Sequence, residues 1–333
     1  MLGAAQTADK SERKIPFKIR FTAWWEGFDA GAYYAHVQAN ENTASTPIER
    51  PEYEEKPEPP GEIPFDPWDR DRIDIAQYVW GPGYCGPGGP EHVIAISKLL
   101  ALSPELSMAD IGAGLGGPMR TLADHFGVWI TGYEESQALV EAGNELSKMA
   151  GMTKKAPLVH YTPTPAFAFE RQYDRFLAKE AFHLIDDKLG LLKSVEEALK
   201  PEGLVLITDY VLTDDAAVAA ESYRIWREGE PKTPFMKTRE EYAEIIDKAG
   251  LSLRVNEDRT KEQLELVTQA WKGVDKLIAR LKDDENSAHL VDVLVKEAEL
   301  WSRRVDVMRE GQVKLCRFLA AKKENRPSMM SDW

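Results

Sequence analysis

Met108-Ala109-Asp110-Ile111-Gly112-Ala113-Gly114-Leu115-Gly116-Gly117-Pro118 is the stretch that decides the fold. A short apolar strand runs into a glycine-rich turn, and Met119 to Phe126 continues with helical spacing. Glycines at such a turn let backbone N–H groups approach a ligand at a helix N-terminus. The stretch therefore reads as a nucleotide grip, with Asp110, Gly112, Ala113, Gly114 and Gly116 as the candidate contacts.

Outward from this turn the pattern repeats. Strands are expected at 107–112, 128–134, 158–161, 173–178, 204–211 and 252–256, and helices at 71–79, 91–102, 118–126, 136–149, 188–199 and 239–249. Alternating β and α units imply an α/β fold, a parallel sheet with helices on both faces. Leu264, Val267, Trp271, Val274, Ile278 and Leu281 then form the stripe of one long amphipathic helix, and Leu290 to Met308 that of another. Gln312 to Ala321 alternates like a strand, which after such a series suggests an antiparallel addition to the sheet.

The N-terminal part differs in character. Phe17, Phe21, Trp24, Trp25, Phe28, Tyr33 and Tyr34 crowd into a short window, which reads as a packing segment, a lid, a lipid-facing patch or a homodimer contact. Asn40 to Asp74 is rich in proline and glutamate, the composition of a linker or wrapping arm. The expected organisation is an N-terminal segment and arm over 1–75, a main domain over 76–323 with a helical insertion at about 260–310, and a tail over 324–333.

At 333 residues the chain has room for one large domain with additions, and its formal charge of −14 argues against a nucleic-acid binder, which needs a basic face. Cys85 and Cys316 are its only cysteines and lack metal-type spacing, so no disulfide framework, no zinc site and a reducing cytoplasm are expected. No apolar run has the length of a transmembrane span or signal peptide, which leaves only peripheral membrane contact open.

Gly112-x-Gly114-x-x-Gly117 with Glu134 downstream also satisfies the dinucleotide fingerprint, so the turn alone leaves a NAD-binding oxidoreductase open. The lone late strand and the segment preceding the turn favour a seven-strand class I methyltransferase sheet instead. Trp80 to Gly89, Asp110 to Gly117, Ala181 to Lys188, Leu206 to Tyr210 and Trp301 to Arg304 occur in the order found in phosphoethanolamine N-methyltransferases, which the chain resembles over roughly 66–323. The resemblance implies S-adenosyl-L-methionine as methyl donor, held by the glycine turn and by Glu134, with Glu135 a neighbour able to substitute.

The same resemblance implies that His183 is the active-site histidine, with hydrogen bonding to Asp186 or Asp187 as the structural alternative. It also implies that Tyr210 lines the acceptor pocket and that Arg304 is a cation near a phosphate. The chain departs from that family at Trp68, where a catalytic tyrosine is expected, at Ala76 and Gly86, and across Gly229 to Pro234, where an arginine and tyrosine pair is missing. Tyr78 and Tyr84 are candidates to compensate. The expected function is methyl transfer to a small-molecule acceptor such as a phosphobase-like amine. The departures keep open a carbon methyltransferase for a lipid or other hydrophobic acceptor, and a non-catalytic binder of the methyl donor.

Overall fold

The structure, a computed structural model, describes residues 66–164, 167–284 and 286–323. The expectations for residues 1–65, including the aromatic segment and most of the arm, lie outside the described residues. Ten helices can be numbered along the described chain: α1 (Arg70–Trp80), α2 (Gly89–Ser97), α3 (Gly117–Phe126), α4 (Gln137–Met149), α5 (Lys188–Ala198), α6 (Glu221–Gly229), α7 (Arg239–Lys248), α8 (Thr260–Ala270), α9 (Val274–Asp283) and α10 (Leu290–Arg309). The strands are β1 (Ser107–Ile111), β2 (Trp129–Glu134), β3 (Leu158–His160), β4 (Tyr173–Lys179), β5 (Leu199–Leu212), β6 (Leu251–Asp258) and β7 (Val313–Lys322).

One seven-stranded sheet has the order β3-β2-β1-β4-β5-β7-β6. Its strands are parallel except β7, which runs antiparallel to both β5 and β6, as expected of the final strand. Period-two alternation supplies two apolar faces. Phe176, Ile207 and Phe318 pack against Leu192, Val195 and Tyr242 of α5 and α7, while Met108, Leu177 and Leu206 pack against Val93, Met119 and Leu122 of α2 and α3.

The strand order reverses between β1 and β4, where connections leave the sheet in opposite directions and open a crevice at the strand ends. Helix starts near that edge are chemically specified. Ser136 accepts the Leu139 N–H to begin α4, Asp187 accepts the Gly190 N–H to begin α5, and Thr238 with Glu241 forms a capping box for α7.

Three expectations are corrected. The stripe from Leu264 to Leu281 is two helices, α8 and α9, because Gly273 adopts φ 86° and breaks the helical path while the apolar spacing continues across it. β5 begins at Leu199 rather than at 204, and α6, which packs Tyr223 and Trp226 onto Val307 and Met308, was not read from the sequence. Among the described residues, no helix is long and apolar enough to cross a membrane.

Candidate active site

The glycine turn forms the floor of a cavity at the switch point, and the donors expected from it are largely committed within the protein. The Gly112 and Ala113 N–H groups both donate to Tyr133 O at 2.8 and 3.2 Å, Gly116 to Ala113 O at 2.9 Å, and Gly117 to Gly83 O at 2.8 Å. Gly114 N–H donates to Glu134 Oε2 at 2.8 Å. The turn therefore contributes shape more than free N–H groups. A side chain at Gly117 would meet Gly83 O at 2.4 Å, so this glycine lets the loop 81–88 close down on the turn.

Glu134 ends β2 with its side chain buried, accepting Gly114 N–H and, at 2.9 Å, Ser136 N–H. A carboxylate has about four lone-pair sites. The Glu135 N–H is also directed at Glu134, which leaves room for a hydroxyl donor such as that of a ribose. Burial raises the Glu134 carboxyl, opposed by these backbone N–H groups. Asp110, at the penultimate position of β1, is pushed up to about 8 by burial and then by the nearby Glu134. Glu135 also lines the cavity but is tied to Lys232 at 2.9 Å, so Glu134 is the better-placed acid for a ligand.

His183 follows β4 on the 3-10 turn Phe182–Leu184, and its ring is buried on the cavity wall. Its Nδ1 lies 2.8 Å from Asp209 Oδ1, while the Tyr242 hydroxyl donates to Asp209 Oδ2. The partner is thus Asp209 of β5, neither Asp186 nor Asp187. With both Asp209 oxygens accepting, Nδ1–H is the donor of this pair, so Nε2 is the ring nitrogen that can exchange a proton. Burial and Asp209 hold the Tyr242 phenol well above its ordinary range, which keeps it a donor. The Tyr210 ring meets His183 edge-on at 5.1 Å, and its hydroxyl accepts from Gln263 Nε2 at 3.1 Å.

The remaining wall comes from α10 and the segment after α6. Arg304 stacks over Trp301 at 4.6 Å and forms a two-point pair with Glu230 at 2.7 and 2.6 Å. Glu230 also accepts Trp226 Nε1–H at 2.6 Å. Burial alone would raise its carboxyl, but Arg304 holds it below the usual range. The segment carrying Glu230 is stapled to the histidine turn: Phe235 N–H donates to His183 O at 2.7 Å, and Lys188 Nζ donates to Ile185 O at 2.6 Å and to Phe235 O.

Trp68 and Tyr84 line the same cavity. Arg72 lies over Trp68 at 4.2 Å, and the Tyr84 hydroxyl pairs with Thr121 Oγ1 at 2.7 Å. Two expected contacts are corrected. Tyr78 lies against Ile75, Leu281 and Leu290 with α9 and α10, away from the cavity, because it falls on a different face of α1 from Arg72. Gly116 is the N-cap of α3, where a side chain would strike Leu158 at 2.9 Å, so it is needed for packing and does not line the wall. Asp209 and Glu230 were missed as site residues, although Asp209 stands in the Leu206–Tyr210 block and Glu230 in the Gly229–Pro234 stretch. Among the described residues, no three acidic, histidine or cysteine side chains gather as a metal site.

Comparison with known proteins agrees with this architecture. A family model described as "Methyltransferase domain" matches residues 94–254. Phosphoethanolamine N-methyltransferase 2 of Caenorhabditis elegans is 27% identical over 201 residues, covering 59% of this chain and 44% of that protein. Cycloartenol-C-24-methyltransferase 1 of Oryza sativa subsp. japonica is 27% identical over 124 residues, covering 37% of this chain and 36% of that protein. The chain thus spans less than half the length of either relative. The solved structure of Haemonchus contortus phosphoethanolamine N-methyltransferase 2 in complex with S-adenosyl-L-methionine matches with a TM-score of 0.64 at 24% identity, covering 76% of this chain and 57% of that one. Residues 94–254 thus match a methyltransferase-domain model, and the chain has the α/β class I methyltransferase fold.

Proposed function

We propose that the protein is an S-adenosylmethionine-dependent methyltransferase acting on a small-molecule amine. One observation carries the reading: a buried histidine whose Nδ1 is held by Asp209 shares a cavity with the glycine turn and the buried Glu134. The residues fit the donor, since the room left at the Glu134 carboxylate matches a ribose hydroxyl and the turn leaves backbone close to the cavity floor. S-adenosylmethionine supplies an electrophilic methyl on a positively charged sulfur. His183 Nε2 takes the proton that an amine must lose, Asp209 steadies the resulting imidazolium, and Tyr210 with Trp301 walls the site against water.

A second reading, carbon methylation of a lipid or other hydrophobic acceptor, is supported by Leu184, Ile185, Pro231 and Trp301 on the wall and by the similarity to a cycloartenol methyltransferase. We read residues 76–323 as the methyltransferase domain, α8 to α10 as its insertion, residues 1–75 as an N-terminal segment and arm, and the cytoplasm as the working compartment.

The test is calorimetry followed by transfer. Tight binding of S-adenosylhomocysteine with none of NAD is expected, and the reverse removes the reading in favour of an oxidoreductase. Labelled methyl should then appear in a pool of small amines. Label in a lipid pool alone selects the second reading, and label in neither pool leaves a non-catalytic binder.

A further inference from the structure

Among the described residues, every lysine and arginine on the cavity wall has a carboxylate partner. Arg72 meets Glu297 at 3.1 Å, Lys179 meets Glu180 at 2.6 Å, Lys232 meets Glu135 at 2.9 Å and Arg304 meets Glu230 at 2.6 Å. Asp110 and Glu134 add carboxyl groups to the same wall. The cavity therefore offers no net positive charge to an anion. Arg72 and Arg304 are the guanidinium cations whose parallel N–H bonds suit a phosphate. Glu297 and Pro67 O engage Arg72, and Glu230 takes the Nε and Nη2 edge of Arg304 and neutralises its charge.

The Glu230 side chain is only 2% exposed and is held a third time by Trp226 Nε1. Its segment is anchored at Phe235 by His183 and Lys188. A phosphate could take that edge of Arg304 only by displacing a buried carboxylate from its guanidinium partner.

We propose that the methyl acceptor carries no phosphate and that Glu230 enforces this, its carboxylate neutralising Arg304 and occupying the Nε and Nη2 edge that a two-point phosphate contact would use. The acceptor class is a phosphate-free amine, entering neutral or as its ammonium. This rests on the methyl-transfer reading for the use of the cavity, whereas the charge pairing stands on the geometry.

The experiment compares wild type, Glu230→Ala and the double variant Glu230→Ala/Arg304→Met by thermal melting with inorganic phosphate at matched ionic strength. Phosphate at about 10 mM is expected to raise the melting temperature of E230A by about 3 °C, and to leave wild type and the double variant unmoved. In parallel, wild type should show no saturable binding of phosphoethanolamine. Saturable phosphoethanolamine binding by wild type, or an E230A protein that gains nothing from phosphate, overturns the proposal. If E230A does not fold, Glu230→Gln takes its place under the same criteria. Failure of the methyl-transfer reading shows separately, as absence of S-adenosylhomocysteine binding by wild type.

Discussion

At the scale of single residues, the chemistry of His183 is set by Asp209. An imidazole that donates from Nδ1 to a fixed carboxylate keeps one tautomer, and the other nitrogen is the one that exchanges a proton. Asp209→Asn removes the charge and permits the reverse tautomer. Methyl transfer to an amine is expected to fall by about 10²-fold or more, with S-adenosylhomocysteine affinity nearly unchanged; equal losses in both would assign Asp209 a purely structural role. Asp110 supplies a different readout. Its folded value of about 8 lies above the ordinary carboxyl value of 3.8, so the native state holds a proton that the unfolded chain releases. The stability this contributes is fully present below 3.8 and is lost as pH rises toward 8. Urea unfolding of Asp110→Asn against wild type should therefore show the variant gaining relative stability across that window, by up to about 1.4 kcal/mol per pH unit. Parallel curves would refute the assignment. Neither behaviour was legible in the sequence, because Asp209 and Glu134 reach their partners only through sheet register. The neighbours visible in sequence, Asp186 and Asp187, pointed to the wrong partner.

At the scale of elements, the turn and the loop above it form one unit. Gly117 N–H holds Gly83 O, and the absent side chain at Gly117 leaves the space that the loop occupies. Gly117→Ala must push that loop away, because a Cβ would lie 2.8 Å from the Tyr84 ring as well as against Gly83. The φ of Gly117 itself is not the obstacle; crowding is. S-adenosylhomocysteine affinity should drop by about tenfold while most of the fold's stability is retained, measured by calorimetry and melting on the same protein. An unchanged affinity would show that the loop does not cover the ligand. The sheet itself was readable, since glycine at the first turn and period-two strands leave few alternatives. The helical insertion was readable in composition but not in its breaks. An apolar stripe can continue at the right spacing across Gly273 although the backbone turns there. α6 escaped notice because only Tyr223 and Trp226 of its face are buried.

At the scale of the whole molecule, α10 ties the insertion to the first described helix and to the cavity. Glu297 accepts Arg72 Nε–H at 3.1 Å and Trp301 Nε1–H at 3.1 Å, so one buried carboxylate fixes α1 and the indole under Arg304 together. Arg72 in turn lies over Trp68 and donates to Pro67 O at 3.1 Å, which extends the brace to the cavity rim. Glu297→Leu strands the guanidinium in a half-dry setting and removes the acceptor of Trp301. A loss of about 3–5 kcal/mol in urea unfolding is expected, because breaking one side of a buried pair costs more than the pair contributes. Replacing both partners, Glu297→Leu with Arg72→Met, should recover part of that loss, since the guanidinium no longer lacks a partner while Trp301 Nε1–H still lacks its acceptor. The ligand affinity should follow a different course. The double variant regains part of the stability but lacks the charged brace at Trp68 and Trp301, so its affinity for S-adenosylhomocysteine stays below wild type. Full recovery of both quantities together would mean that the pair holds the fold alone and has no part in shaping the site.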